Sequence, residues 1–275
     1  MTEPPTSHCL ALRLAAPVQS WGSRSMFNRR DTAAEPTKSG ILGLLAAAEG
    51  RRRTDSIEDL LGLTLGVRTD QPGTLLRDYH TVSDYRGRPL PSTAVNAKGA
   101  QKPTSPAKHT HLTERFYLQD AVFVAAVAAP DPVLATLADA LRNPAYPLAL
   151  GRRACPPTQP LLLAVDSGDD LWPGDVVDVL GRVPWQAGPQ HREALIRSRR
   201  PRPAAVDLPV TVDDPTGPDV RHDLPTSFDP HERGFTSRRI RQTWVHLPPP
   251  YELDAADLAV DGAAPPHDPF ALLGW

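Results

Sequence analysis

Two cysteines in a chain of 275 residues, Cys9 and Cys155, are too few and too far apart for a disulfide framework or a thiolate zinc site. No apolar run reaches the length needed to cross a bilayer, and the opening MTEPPTSH has neither the basic nor the apolar region of a secretory signal. The expectation is a cytoplasmic, soluble protein without membrane contact. A surplus of one charge is missing too. Lys and Arg number 30 against 32 Asp and Glu, a net charge of −2, so no global basic signature marks a nucleic-acid binder. There is no internal repeat, and no residue set implies a metal or cofactor.

Proline is what the chain has in excess: 32 residues, concentrated after about residue 140. The composition predicts a compact first half and a loop-rich second half with short strands. The length suits one large domain or two small ones. Charge is unevenly spread. Basic residues gather at Arg51–Arg53, along 77–115, at Arg152–Arg153, at Arg192–Arg202 and at Arg238–Arg241. From Glu252 to Asp268 there are acids and no Lys or Arg, a tail that masks basic faces elsewhere.

LALRL (10–14) reads as a buried strand and APVQSWG (16–22) as the turn out of it. Residues 39–49 form a helix opened by Thr37 or Ser39 and stopped by Gly50. Ser56 and Asp59, in capping-box spacing, open a short helix over 56–63. Strands follow at 63–69 and 121–127. Asp131 caps a helix over 131–142 with Pro132 in its first turn, and Leu134, Leu137, Ala138 and Leu141 form its apolar stripe. Further strands are expected at 161–165 and 176–180.

Between them, residues 77–115 lose apolar periodicity and read as a long, functional insertion. The order through 165 is strand, helix, strand, insertion, strand, helix, strand. That is the split βαβ pattern of ferredoxin-like domains, shared by RNA-recognition modules, although the aromatic strand motif of a single-strand RNA reader is missing.

Three stretches carry candidate chemistry. EPTKSGILGLLAAAEG (35–50) sets Lys38, Ser39 and Gly40 at a helix start, where free N–H groups suit a phosphate. The glycines of a nucleotide P-loop are not there, and taken alone the stretch is better explained by a capped core helix whose glycines permit close packing. The insertion sets Arg77, Arg86, Arg88, Lys98, Lys102, Lys108 and Arg115 around Tyr79 and Tyr85, an arm able to cross a phosphate backbone while a ring stacks on a base. Tyr79-His80 and Lys108-His109 could also supply base and acid for metal-independent RNA cleavage. In NPAYPLALGRRACPPTQPL (143–161), Gly151 allows a turn that aims Arg152 and Arg153 at a phosphate or base edge, or into salt bridges. HREALIRSRRPRPA (191–204) reads as a basic recognition segment or a subunit interface.

Taken in order and spacing, LALRLAAPVQSWG, EPTKSGILGLLAAAEG and YPLALGRRACPPTQPL resemble the CasD family of CRISPR-associated subunits, which cap the five-prime end of the guide RNA in Cascade. RDYHTV (77–82) and ERFYLQDAVFVAAV (114–127) extend the likeness, which covers about 8–165 and is weaker from 170 to 247. The resemblance implies an α+β protein: a ferredoxin-like, RRM-type βαββαβ body over 8–165 with a thumb hairpin at 77–115. A β-containing, Pro-rich part would follow over 166–247, with an acidic, Pro-rich tail over 248–275. It implies a non-catalytic subunit of a type I-E complex for antiviral defence. Its partners would be the eight-nucleotide five-prime handle of a crRNA, the subunits CasC and CasA with CasE as a further candidate neighbour, and target DNA through the complex. On this basis Gln19, Trp21, Lys38, Ser39, Gly40, Arg77, His80, Lys98, Lys108, His109, Arg152 and Arg153 are the expected RNA contacts. One relative in another subtype is itself the processing nuclease, so the alternative is an endoribonuclease acting on CRISPR repeat RNA.

Overall fold

A computed structural model describes residues 7–22, 28–84, 109–165, 167–198 and 205–248. The elements, in chain order, begin with β1 (His8–Ala15), β2 (Val18–Gln19), β3 (Arg29–Arg30), α1 (Lys38–Ala48), α2 (Glu58–Leu61) and β4 (Thr64–Gln71). Next come β5 (Thr74–Asp84), β6 (His109–Gln119), β7 (Val122–Ala128), α3 (Asp131–Arg142), β8 (Leu162–Leu163) and β9 (Leu171–Pro173). The last are α4 (Val176–Arg182), α5 (Pro189–Ser198), β10 (Val206–Asp213), β11 (Asp219–Ser227) and β12 (Gly234–Leu247).

Among the described residues one antiparallel sheet has eight strands, ordered β11-β12-β10-β4-β7-β1-β8, with β9 also on β1. β7 sits at its centre because VFVAAVA offers apolar side chains to both faces and no charge. Each face of the sheet has its own core. On one, Leu10, Leu12, Leu14, Phe123 and Val127 pack under α1 and α3. On the other, Cys9, Ala11, Val124 and Ala126 pack with Trp172, Val176, Val179, Leu180 and Trp185, under α4. A second sheet, β2-β6-β3 with β5 on the far edge of β6, carries the long β5–β6 hairpin.

The helix over 131–142 lies where the periodicity predicts, and the helix over 38–48 begins and ends one residue before the 39–49 expected from its caps. Three expectations need correction. Residues 176–180 are helical, not a strand: the Asp175 carboxylate accepts from the N–H groups of Val177 and Asp178, and this cap outweighs the β-preference of Val176, Val177 and Val179. The second half holds long strands, since β12 runs for 14 residues, and few of them alternate cleanly enough to be read. Finally, 77–84 and 109–115 are not loop but paired strand. Leu75, Tyr79, Val82 and Leu112 are exposed there, so the hairpin has no buried face to impress a period on the sequence.

Two buried charge groups lock the layers. Arg68 and Asp70, both fully buried, pair in two-pronged fashion at 2.6 and 2.8 Å. Arg68 also donates to the carbonyls of Leu180, Val183 (2.7 Å) and Pro184 (3.0 Å), tying the end of α4 to β4. The second group is at the start of α1.

Candidate nucleic-acid interface

The first turn of α1 was the expected phosphate seat. Thr37 caps it, accepting from the Gly40 N–H at 3.2 Å, and Ser39 Oγ lies 3.2 Å from Thr37 Oγ1. The anion at this end belongs to the protein. The Lys38 backbone N–H donates to Asp223 at 2.9 Å, and its ammonium turns inward to Asp213 Oδ2 and the Leu63 carbonyl, both at 2.7 Å. Arg238 closes the ring, donating to Asp213 and gripping Asp223 at 2.7 and 3.0 Å. Lys38 is 6 % exposed, so its ammonium faces β10–β12 and not solvent. The Asp223 carboxyl is pulled two ways. Burial pushes it up, but the Arg238 fork and the Lys38 amide outweigh burial and hold it below the usual carboxylate range.

Gln19 and Trp21 are internal as well. Gln19 Nε2 donates to the carbonyls of Leu14 (2.9 Å) and Ala121 (2.7 Å), and its Oε1 accepts from the Trp21 indole at 3.1 Å. The Trp21 ring lies on Gly40, where a Cβ would stand 2.6 Å from Cε3. These residues, with Ser39 and Gly40, set the shape of the turn and have little surface to offer.

Exposed cations collect instead where the β5–β6 hairpin meets the body. Arg77 lies over the Tyr79 ring at 5.2 Å and pairs with Glu114. Arg29 lies over Phe116 at 5.1 Å, and Arg152 over Tyr117 at 4.7 Å. Arg152 donates to the carbonyls of Phe116 (3.0 Å) and Arg30 (2.8 Å), which pins the 151–153 turn to β6 and β3. Gly151 makes the turn possible: its φ is 93°, and a Cβ there would lie 1.7 Å from the Ser20 carbonyl oxygen. Arg153 and Arg115 are exposed beside it. A shallow depression lined by Val18, Leu76, Arg77, Asp78, Tyr79, Tyr117 and Ala154 opens at this base.

Guanidiniums set over rings, with the Tyr79 ring open to solvent, Phe116 half-buried and Tyr117 buried, suit a single strand of nucleic acid, which offers base faces for stacking and phosphates for charge. The central strands β4, β7 and β1 have no open face for that part, because α1 and α3 cover one side of them and α4 the other. His80 is on the hairpin with both ring nitrogens engaged, Nδ1 with Asp78 at 3.1 Å and Nε2 with Thr113 at 2.8 Å. Tyr79 and His80 are successive strand residues and point to opposite faces. His109 pairs with Asp84 at the far end of the described hairpin, and Lys98 and Lys108 lie outside the described residues. Neither cysteine is a nucleophile here: burial, with Asp175 adding to it, pushes the Cys9 thiol up to about 12, and burial raises Cys155. Among the described residues no group of three or more His, Cys, Asp or Glu could hold a metal, and no helix is long and apolar enough to cross a membrane.

Sequence reasoning overlooked Arg29, Phe116 and Tyr117. The available signal was ERFYLQ: neighbouring aromatics on a strand face opposite ways, so both cannot enter one core.

A family model described as CRISPR-associated protein (Cas_Cas5) matches residues 9–241. The chain belongs to that Cas5 family of CRISPR-associated proteins. The CRISPR system Cascade subunit CasD of Escherichia coli (strain K12) is 37% identical over 179 residues, which cover 58% of this chain and 72% of the relative. A solved chain described as a CRISPR RNA-guided surveillance complex superposes with a TM-score of 0.65 at 34% identity, covering 87% of this chain and 91% of the other. A second, described as the crystal structure of a Cas protein, gives 0.60 at 31% identity, with 88% and 95% covered.

Proposed function

We propose that this chain is the crRNA-binding subunit of a type I-E Cascade surveillance complex, capping the five-prime handle without cutting it. The observation that carries the reading is the set of arginine–aromatic pairs at the hairpin base, in a chain of the Cas5 family 37% identical to a Cascade subunit. In this reading Arg77, Tyr79, Arg152 and Arg153 touch the handle. His80 and His109 lie further out along the hairpin, and Lys98 and Lys108, outside the described residues, are taken as RNA contacts too. Gln19, Trp21, Lys38, Ser39 and Gly40 hold the turn in shape from inside. CasC, CasA and CasE are the neighbouring subunits, and target DNA is met through the assembled complex.

We also read residues 8–165 as a ferredoxin-like βαββαβ body bearing the thumb, with 166–247 as its β-rich extension and 248–275 as a tail. The strand order β4-β7-β1-β8, all antiparallel and with α1 and α3 on one face, supports this. Among the described residues endoribonuclease chemistry gains nothing from the geometry, since Tyr79 and His80 diverge and both His80 nitrogens are occupied.

The test is RNA binding by the full chain: mature crRNA against the same RNA without its five-prime handle. Preference for the intact handle, weakened by Tyr79→Ala with Arg77→Ala, is the expected result. Equal affinity for both RNAs would overturn the capping role.

A further inference from the structure

β5 leaves one whole edge open. It runs for 11 residues and pairs with β6 alone, in unbroken register from Thr74 opposite Gln119 to Asp84 opposite His109. β2 and β3 take the other side of β6, so among the described residues no strand meets the outer side of β5. An open edge offers a row of unpaired N–H and C=O groups and recruits another strand unless something blunts it. β11, at the edge of the main sheet, is blunted: it carries Pro225, and its register with β12 shifts twice. β5 has no Pro, no Lys and no bulge, and it is about twice the common strand length. Of its charges, Arg77 pairs with Glu114 and Asp78 with His80, while Leu75, Leu76, Tyr79 and Val82 are exposed.

The strand register shows which part of the chain comes within reach. β4 passes into β5 through Pro72 and Gly73, and β6 passes into β7, so the two pairs form one ribbon. β10 lies along the β4 side of that ribbon, which β5 continues, and β12 lies beyond β10. Val210 stands opposite Arg68 and Val206 opposite Leu247, so β12 ends about level with Pro72, two strand spacings or about 10 Å to the side. β12 runs parallel to β4, and the chain leaves it pointing the way β5 runs. On the other side of the ribbon β1 pairs with β7, and the same stretch of chain then pairs with β6 as β2. On the β5 side two segments compete for that place. RRPRPA, before β10, has Pro201 and Pro203, which cannot donate to a ladder. YELDA (251–255), after β12, alternates apolar and acidic residues with the period of a strand. Pro248, Pro249 and Pro250 can span about 10 Å, the width to be crossed.

We infer that residues 251–255 add to the open edge of β5 as a parallel strand. Charge selects the register. Glu252 and Asp254 fall on the face of Leu75, Arg77 and Tyr79, and Tyr251, Leu253 and Ala255 fall on the face of Leu76, toward the depression lined by Val18, Tyr117 and Ala154. A slip of one residue would set the acids beside Asp78. The segment thereby covers Arg77 and Tyr79 and competes with RNA for them. The competition rests on the RNA-binding reading above; the pairing does not.

The experiment is amide hydrogen exchange on the full chain without RNA, for wild type, Leu253→Pro and a control in the same tail, Leu272→Pro. β6 engages alternate residues of β5, and the amides between them face the open edge. These outward amides are protected in wild type and in the control, and they exchange about tenfold faster or more in Leu253→Pro. Fast exchange there in wild type would overturn the inference. Protection that survives Leu253→Pro would overturn it too, giving the edge to another occupant, a second copy of the chain if protection fades on dilution. Affinity for crRNA is measured alongside and rises in Leu253→Pro. Equal affinity in the two proteins would overturn the competition alone, and no RNA binding by either would overturn the capping role while the pairing stands.

Discussion

Lys38 separates a structural role from an RNA-binding one. Its ammonium sits in a buried ring with Asp213, Arg238 and Asp223, two cations against two anions. Lys38→Met keeps the aliphatic stem and removes the charge. Asp213 then retains the Leu65 N–H at 2.9 Å and Arg238, while the Leu63 carbonyl loses its donor and the ring carries a net negative charge away from water. Breaking one partner out of a buried ion pair costs about 3–5 kcal/mol. For a chain of this size each kcal/mol shifts Tm by about 2–4 °C, so a fall of about 6–20 °C is expected by calorimetry. Adding Asp213→Asn restores neutrality, and the double variant should lose clearly less than the two single losses added together. RNA affinity, measured well below the variant's Tm, should keep its salt slope. A Tm within about 2 °C of wild type, together with a reduced slope, would mean that the ammonium meets phosphate and the internal ring is not what fixes α1.

The same ring predicts acid sensitivity. Because Asp223 is held below its unfolded value, its contribution is fully present above about pH 4 and is lost as pH falls through the lowered folded value; Tm followed from pH 6 to 3 should drop in that window, and Asp223→Asn should flatten the drop. Gly40→Ala presses a methyl to 2.6 Å from the Trp21 ring and should cost about 1–3 kcal/mol in a urea melt, while Gly22→Ala, with open space around it, should cost little. Tyr79→Ala removes an exposed ring from the hairpin and should weaken RNA binding by about 1–3 kcal/mol with Tm nearly unchanged, since the ring is 53 % exposed.

Much of the body was legible because its signals are local. The α3 stripe of Leu134, Leu137, Ala138 and Leu141 is periodic, and all four residues are buried where the period puts them. The uninterrupted apolar run of β7 is likewise visible from its own residues. What stayed hidden depends on distance along the chain. Nothing near Lys38 announces that its partners are Asp213 and Asp223, 175 and 185 residues away, and without them a capped, lysine-bearing helix start reads like a phosphate seat. The hairpin was hidden for the opposite reason: with exposed residues on both faces it has strand geometry and no strand pattern. At the interface, Arg152 and Arg153 were visible as a pair on a glycine turn. Phe116 and Tyr117 beneath Arg29 and Arg152 were not, because only the fold brings β3 and the 151–153 turn onto β6.

The most direct test of the central claim is to express the chain with its neighbouring genes and a CRISPR repeat array and to sequence the RNA that co-purifies. The account predicts mature crRNAs of varied spacer sharing one five-prime handle, depleted in the Arg77→Ala/Tyr79→Ala variant. Recovery of no RNA, or of RNA without a common five-prime end, would contradict it.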